Sequence, residues 1–229
     1  MRNEARAAVL PVSVRRVFLV FVLAAVTAVA CQPAGRATIA KPATPESVAI
    51  QPGDVSGLQR CSASGDVAAV LSSEKSHNRL AYDLDATEWE QWRQQGASDA
   101  YLAVYGRTGA DCDAVSTSGT GAPTGGLMVG LIVEFKSEAI AARTYGSNST
   151  LLGFGPRDIA FIKLVGGSLM TGSNTGLGPR SVIGSGSVPG STYDLAFWQN
   201  KLFNSFLIAY DLPSTDAQVA ANDVNHRIR

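Results

Sequence analysis

The stretch "LMVGLIVEFKSEAIAARTY" occupies residues 127–145. In its first nine residues, Leu127 to Phe135, apolar side chains stand at odd and even positions alike, interrupted only by Gly130 and Glu134. Successive strand residues point to opposite faces, so a run apolar on both reads as a central strand. Ser137 then offers a hydroxyl to free backbone N–H groups and predicts a helix start. The helix it opens is Ala-rich and too weakly apolar to stand alone, so it must pack on a sheet. A similar succession of strand, Ser-led cap and Ala-rich helix begins at Leu207, "LIAYDLPSTDAQVAAND", echoing "LIVEFKSEAIAAR" from Leu131. Internal strand–helix duplication is one reading of this echo; chance similarity between Ala-rich stretches is the other. In the second helix Ala217, Ala220, Val224 and Ile228 form one stripe.

Further elements follow outward. "SGDVAAVLSSE" (64–74) predicts a short helix opened by Ser64 or Asp66. "DATEWEQWRQQG" predicts another, with Asp85 as cap, Glu88 as its capping-box partner and Gly96 as terminator. Trp89 and Trp92 share a face of it. "YLAVYG" (101–106) is a strand with Tyr101, Ala103 and Tyr105 on one side and Leu102 and Val104 on the other. "IAFIKLV" (159–165) predicts a strand inside a Gly/Ser-rich region. "TYDLAFW" and "LFNSFLIAY" predict a hairpin around Gln199-Asn200-Lys201, where Asn200 tolerates a positive φ. Together these define an α+β domain: an antiparallel β-sheet with helices packed mainly on one face.

Two Gly-x-Gly-Pro-Arg copies, "GFGPRD" (153–158) and "GLGPRS" (176–181), invite a phosphate-cradle reading. Pro156 and Pro179 each delete a backbone donor at the centre, and a strand-like stretch, not a helix, follows each copy. They read as turns that feed the sheet. Arg157 and Arg180 remain as binding candidates.

The N-terminus concerns location. Arg2, Arg6, Arg15 and Arg16 precede an uncharged run of fourteen residues, Val17 to Ala30. That is short for a membrane span of about 20 residues and suits a secretory signal. It ends in "AVAC", which resembles a bacterial lipobox with Cys31 as the acylated residue, although Ala28 stands where Leu is commoner. Two acyl chains on Cys31 would anchor the protein to the membrane. An ordinary cleaved signal and an uncleaved anchor are the alternatives. "RRVFL" also resembles a twin-arginine signal without its usual preceding Ser. The Pro/Ala/Thr-rich residues 32–53 read as a disordered tether behind Cys31, with the single domain over 54–229.

The chain holds 19 basic and 19 acidic residues; removing residues 1–30 leaves 15 against 18. With no basic stripe, no nucleic-acid partner is expected. In an oxidising compartment Cys61 and Cys112 pair as a disulfide, whose ring of about fifty residues restricts the unfolded chain by about 4 kcal/mol. The sequence calls for no metal and no cofactor. His77 and His226 match no zinc spacing, and "DCDAV" around Asp111 and Asp113 is too sparse for calcium. No G-x-S-x-G elbow supports a Ser-His-Asp site. Glu134, on an apolar strand, reads as a strand-end residue at the sheet rim.

The aromatic residues remain. Trp89, Trp92, Tyr101, Tyr105, Tyr193, Phe197 and Trp198 could line an apolar cavity or form core. Trp198 ends a strand beside a turn with parity opposite to Phe197, so one of that pair faces outward and an exposed Trp198 becomes a contact residue.

Trp92, Gly96-Ala97 with Tyr101, Leu177-Gly178, Asn200 and "VNHRI" occur in an order that resembles uncharacterised actinobacterial-type exported lipoproteins. The outline is also similar to PsbP-like domains and to extracellular sensor domains of mycobacterial Ser/Thr kinases. The resemblance implies ligand or partner binding on the outer face of a membrane rather than catalysis. An apolar small molecule, a lipid or an envelope protein is the expected partner. An envelope hydrolase and a structural scaffold are the competing expectations.

Overall fold

The computed structural model describes residues 42–116, 125–147, 162–163, 166–188 and 190–228. The unit that contains them begins at Pro42. In chain order its elements are α1 (Pro45–Val48), β1 (Gln59–Arg60), β2 (Gly65–Asp66), α2 (Val67–His77), α3 (Arg79–Gln95), β3 (Ala97–Gly106), α4 (Gly109–Ser116), β4 (Leu127–Phe135) and α5 (Glu138–Gly146). Then come β5 (Ser168–Thr171), a 3-10 turn (Gly172–Thr175), β6 (Ser181–Val188), β7 (Ser191–Asn200), β8 (Phe203–Tyr210) and α6 (Ser214–Arg227).

The eight strands form one antiparallel sheet in the order β1-β3-β4-β8-β7-β6-β5, with β2 also paired to β3. The apolar run that opens the sequence reading is central: β4 pairs with β3 from Ala97↔Phe135 to Gly106↔Leu127 and with β8 from Leu127↔Tyr210 to Glu134↔Phe203. The fold is the expected α+β class. The larger group of helices sits on one face of the sheet. There Trp92 of α3 and Ala141 of α5 pack on Ala100, Leu131, Val133, Phe197 and Phe206. The opposite face is covered too. Ala217, Ala220, Ala221 and Val224 of α6, with Val48 and Ile50, pack on Tyr101, Met128, Ile132, Trp198 and Leu207. The predicted stripe on the terminal helix is therefore its buried face.

Residues 42–53 correct the expected boundary. They are not tether but fold. Thr44 and Ser47 form a reciprocal capping box around α1, and Val48, Ala49 and Ile50 are buried. Asp54 holds Arg227 in an ion pair, so the segment is fastened to the end of α6. Composition hid this: the segment is Pro/Ala-rich, but its three apolar side chains find a ready-made groove.

Local signals place most helix ends. Ser137 Oγ accepts from Ile140 N at 3.3 Å, and Gly96 closes α3 with φ of 105°. α3 starts earlier than expected, because Asn78 Oδ1 accepts from Ala81 N at 3.2 Å. Asp85 and Glu88 are thus mid-helix residues, not a capping box. In the β7–β8 hairpin Lys201, not Asn200, takes the positive φ, 47°; the two-residue Lys201-Leu202 turn puts Asn200 in the last strand pair, opposite Phe203. The strand expected at 159–165 lies mostly outside the described residues; its described pair, Ile162 and Lys163, is helical. The duplication reading finds no support. Leu131 and Leu207, matched in the echo, point to opposite faces of the sheet, and α5 and α6 pack on opposite faces.

Candidate functional site

α2 and α3 form a helical hairpin over one end of the sheet. Asp66 Oδ1 caps α2 through Ala69 N at 2.8 Å, and Asn78 alone both ends α2 and caps α3. Along α2, Val67, Val70, Leu71 and Glu74 recur at helical spacing on one face; along α3, Asp85, Glu88, Trp89 and Trp92 do the same. These two faces meet over Leu102 of β3 and Leu131 of β4. They enclose an apolar slot of about 70 Å³. Trp89 and Trp92 meet edge to face at 6.4 Å and 88° in its wall. No residue of α2 is fully buried, so the side chains that should seal this helix to the sheet line a void instead.

Three carboxyl groups interrupt the apolar lining: Glu74, Asp85 and Glu88. Glu74 is hydrogen-bonded to Asp85, and its carboxyl is pushed up to about 7, first by burial, then by that hydrogen bond and by the charge of Asp85. Its Oε2 atom is buried with no hydrogen-bond partner among the described residues. On the far side of Val70, Glu74 and Leu102 lies a second, polar cleft of about 230 Å³, whose lining includes Ser62, Ser64, Ser73, His77 and Asn78. The two spaces share those three residues, so Glu74 stands at their junction.

Of the predicted site residues, only Trp89 and Trp92 come together here. Tyr101 and Tyr105 lie on the opposite face of β3, in the core beneath α1. Tyr101 Oη accepts from Arg60, and Tyr105 Oη donates to Ile50 O at 3.2 Å; burial raises both phenols. Trp198 corrects the expectation of an exposed contact residue. It is fully buried against α6, and its Nε1 has no hydrogen-bond partner among the described residues. Phe197 faces the other way and stacks on Tyr145 at 4.7 Å. Neither faces solvent, because both faces of the sheet are covered. Arg180 is exposed at the entry to β6, and its Nη1 donates to Gln199 Oε1 at 3.1 Å; the second Gly-x-Gly-Pro-Arg copy is the turn that feeds β6. Arg157 and Cys31 lie outside the described residues.

Cys61 and Cys112 are disulfide-bonded, with Cα atoms 5.3 Å apart, tying the start of the α2 region to α4. Glu134 sits near the end of β4 opposite Asp99; burial, then the Asp99 charge, raises its carboxyl.

The arrangement offers little to hydrolysis. His77 is exposed, with Nδ1 2.9 Å from Ser73 O on its own helix. Its cleft neighbour Ser64 is committed at both ends to Val104, donating to the carbonyl at 3.0 Å and accepting from the amide at 2.8 Å. His226 is exposed on the last turn of α6. Among the described residues no cluster of His, Cys, Asp and Glu is placed to hold a metal ion, and no helix is long and apolar enough to cross a membrane.

A reading for caps and motifs misses Glu74 and takes Asp85 for a cap. The signal that finds them is a carboxyl at i+7 on the apolar stripe of α2 and another at the head of the Trp stripe of α3.

No protein-family model matches the chain, and no curated protein matches it. Among solved structures, the extracellular domain of PknH from Mycobacterium tuberculosis is similar, at 10% identity over 82% of this chain and 97% of that chain, with a TM-score of 0.45. At these values the likeness is one of outline alone.

Proposed function

We propose that this protein is an exported, lipid-anchored binding domain without catalytic activity, and that the slot between the α2–α3 hairpin and the sheet receives the apolar part of a small ligand. The observation that carries the reading is the slot's lining: Val67, Val70, Leu71, Trp89, Trp92, Leu102 and Leu131 surround unfilled space. Concave, mainly apolar sites with a few polar groups suit small-molecule ligands. The adjoining serine- and histidine-lined cleft suits a polar head on the same molecule, so an amphipathic ligand fits better than a purely apolar one. The basic N-terminus, apolar run and "AVAC" at Ala28–Cys31 support export and acylation at Cys31.

Native mass spectrometry of the mature protein taken from membranes, followed by solvent extraction, tests the binding role. The expected result is a co-purifying amphiphile that is lost in Trp89→Ala/Trp92→Ala. A protein that carries nothing and shows no saturable binding of apolar dyes would sink it. The anchor is tested separately: Cys31→Ala is expected to abolish acyl labelling and release the protein from membranes.

A further inference from the structure

The second property of this slot lies in the contact that closes it. Two carboxyl groups can share a hydrogen bond only while one of them keeps its proton, because an ionised carboxylate is an acceptor only. Glu74 of α2 and Asp85 of α3 stand together in the slot wall and make such a contact. Among the described residues Glu74 Oε2 is buried without a hydrogen-bond donor, so its ionisation would place charge on a poorly solvated oxygen. The groups around the pair worsen this. From α3, Glu88 lines the same slot. β3 contributes only Leu102 and β4 only Leu131. On α2 itself, His77 lines the neighbouring cleft beyond Glu74, while Lys75 is turned onto the Tyr82 ring at 5.7 Å. Arg79 of α3 lies over the same ring at 5.0 Å and pairs with Asp83. Among the described residues, Lys75 and Arg79 are thus engaged elsewhere.

α2 is also the element most free to respond. It buries no residue completely, its apolar side chains border a void, and the Cys61–Cys112 disulfide fixes the chain just before it. Movement can therefore be taken up at Asn78 and at the short Gly65-Asp66 pairing to β3, while the long β3–β4 pairing stays in place. We propose that α2 is a proton-operated cover: the proton held between Glu74 and Asp85 seats the helix over the Trp slot, and its release to solvent leaves facing carboxylates that push α2 outward and admit ligand. This rests on the slot being the binding site. The raised Glu74 carboxyl sets the working range near neutrality.

The test uses the mature chain carrying Trp198→Phe, so that tryptophan emission comes from the slot pair alone. Acrylamide quenching is followed from pH 5 to 9, alongside binding of the uncharged fluorophore N-phenyl-1-naphthylamine. Quenching is expected to rise about twofold or more with a midpoint near 7, and dye binding to strengthen in parallel, as a population shift requires. Glu74→Gln, which keeps a hydrogen bond but cannot ionise, should stay weakly quenched at every pH. Asp85→Asn should lower the midpoint by about one unit, because a neighbouring charge is removed. His77→Gln should leave the transition in place. A pH-independent quenching curve, or a transition that survives Glu74→Gln, overturns the cover. If the quenching transition appears without dye binding at any pH, the cover stands and the binding role proposed above falls.

Discussion

Ile50 offers the sharpest test of where the folded unit begins. It lies in a stretch whose composition reads as a tether, yet it is only 3% exposed. Its Cδ1 sits 2.8 Å from the position a Cβ on Gly130 would take, so the central strand carries a glycine where this side chain seats. Truncating a buried isoleucine to alanine removes transfer free energy and leaves a cavity, typically 2–5 kcal/mol. The Ile50 site is roofed by a short helix that can partly settle, so we take about 3 kcal/mol, the lower half of that range. For a domain of this size that corresponds to a fall in Tm of about 6–12 °C. Thermal unfolding of the oxidised protein by circular dichroism, wild type against Ile50→Ala, reads it directly. A shift under about 2 °C would refute the reasoning and return residues 42–53 to the status of a tether. Gly130→Ala is the companion test. The new methyl meets the end of a flexible side chain, so it is expected to cost about 1–3 kcal/mol. Adding Ile50→Val should make the double variant less damaging than the sum of the singles.

Gly96→Ala should destabilise by more than 1 kcal/mol in urea unfolding, since the residue has φ of 105° and a Cβ would lie 3.0 Å from Ile140 Cγ2. Trp198→Ala should cost about 3–5 kcal/mol as a core truncation and leave ligand binding to the folded protein unaltered; a pure binding defect at full stability would restore it as a contact residue. Cys61→Ala/Cys112→Ala should lose about 4 kcal/mol by chain entropy, measured by urea unfolding against the oxidised parent. Glu74 binds its proton more tightly in the folded state, so its contribution is present in full below about pH 4.5 and is lost as pH rises through about 7. After discounting for the solvent that reaches this half-exposed group, the loss is about 1–2 kcal/mol. Glu74→Gln should flatten that slope in unfolding curves measured at pH 5 and pH 8.

Several features could be read directly from the chain because their causes are local. Leu127–Phe135 announces a central strand by having no polar face. Ser137 announces a helix start by its hydroxyl, and Gly96 a helix end by its missing Cβ. The stripe Ala217–Ala220–Val224–Ile228 announces its own buried side. Local reasoning failed where two candidates competed. Asn78 and Asp85 can each open a helix, and Asn78 does so, its Oδ1 accepting from Ala81 N. Half of the site was visible in the same way. Trp89 and Trp92 share a helical face and line the slot, but Tyr101, Tyr105 and Trp198 share only their aromatic character with them. The sheet separates those three from the slot by its full thickness.

Sequence alone determined the long strands β3, β4, β7 and β8 and the helices α2, α3, α5 and α6, since propensity, caps and periodicity act within a few residues; β1, β2, β5, α1 and α4 were not legible there. It also pointed to the pairing of Cys61 with Cys112, the two cysteines of the folded region, which the disulfide bears out. Tertiary structure decided what each face meets. Whether Trp198 touches solvent depends on α6 arriving from sixteen residues further along the chain. Whether residues 42–53 are tether or core depends on a groove built by β3, β4 and α6. Whether Glu74 is an ordinary surface acid or a shared-proton contact depends on Asp85 of the next helix being folded back against it. Burial and electrostatics are sums over neighbours, and the neighbours that matter here are distant in the chain.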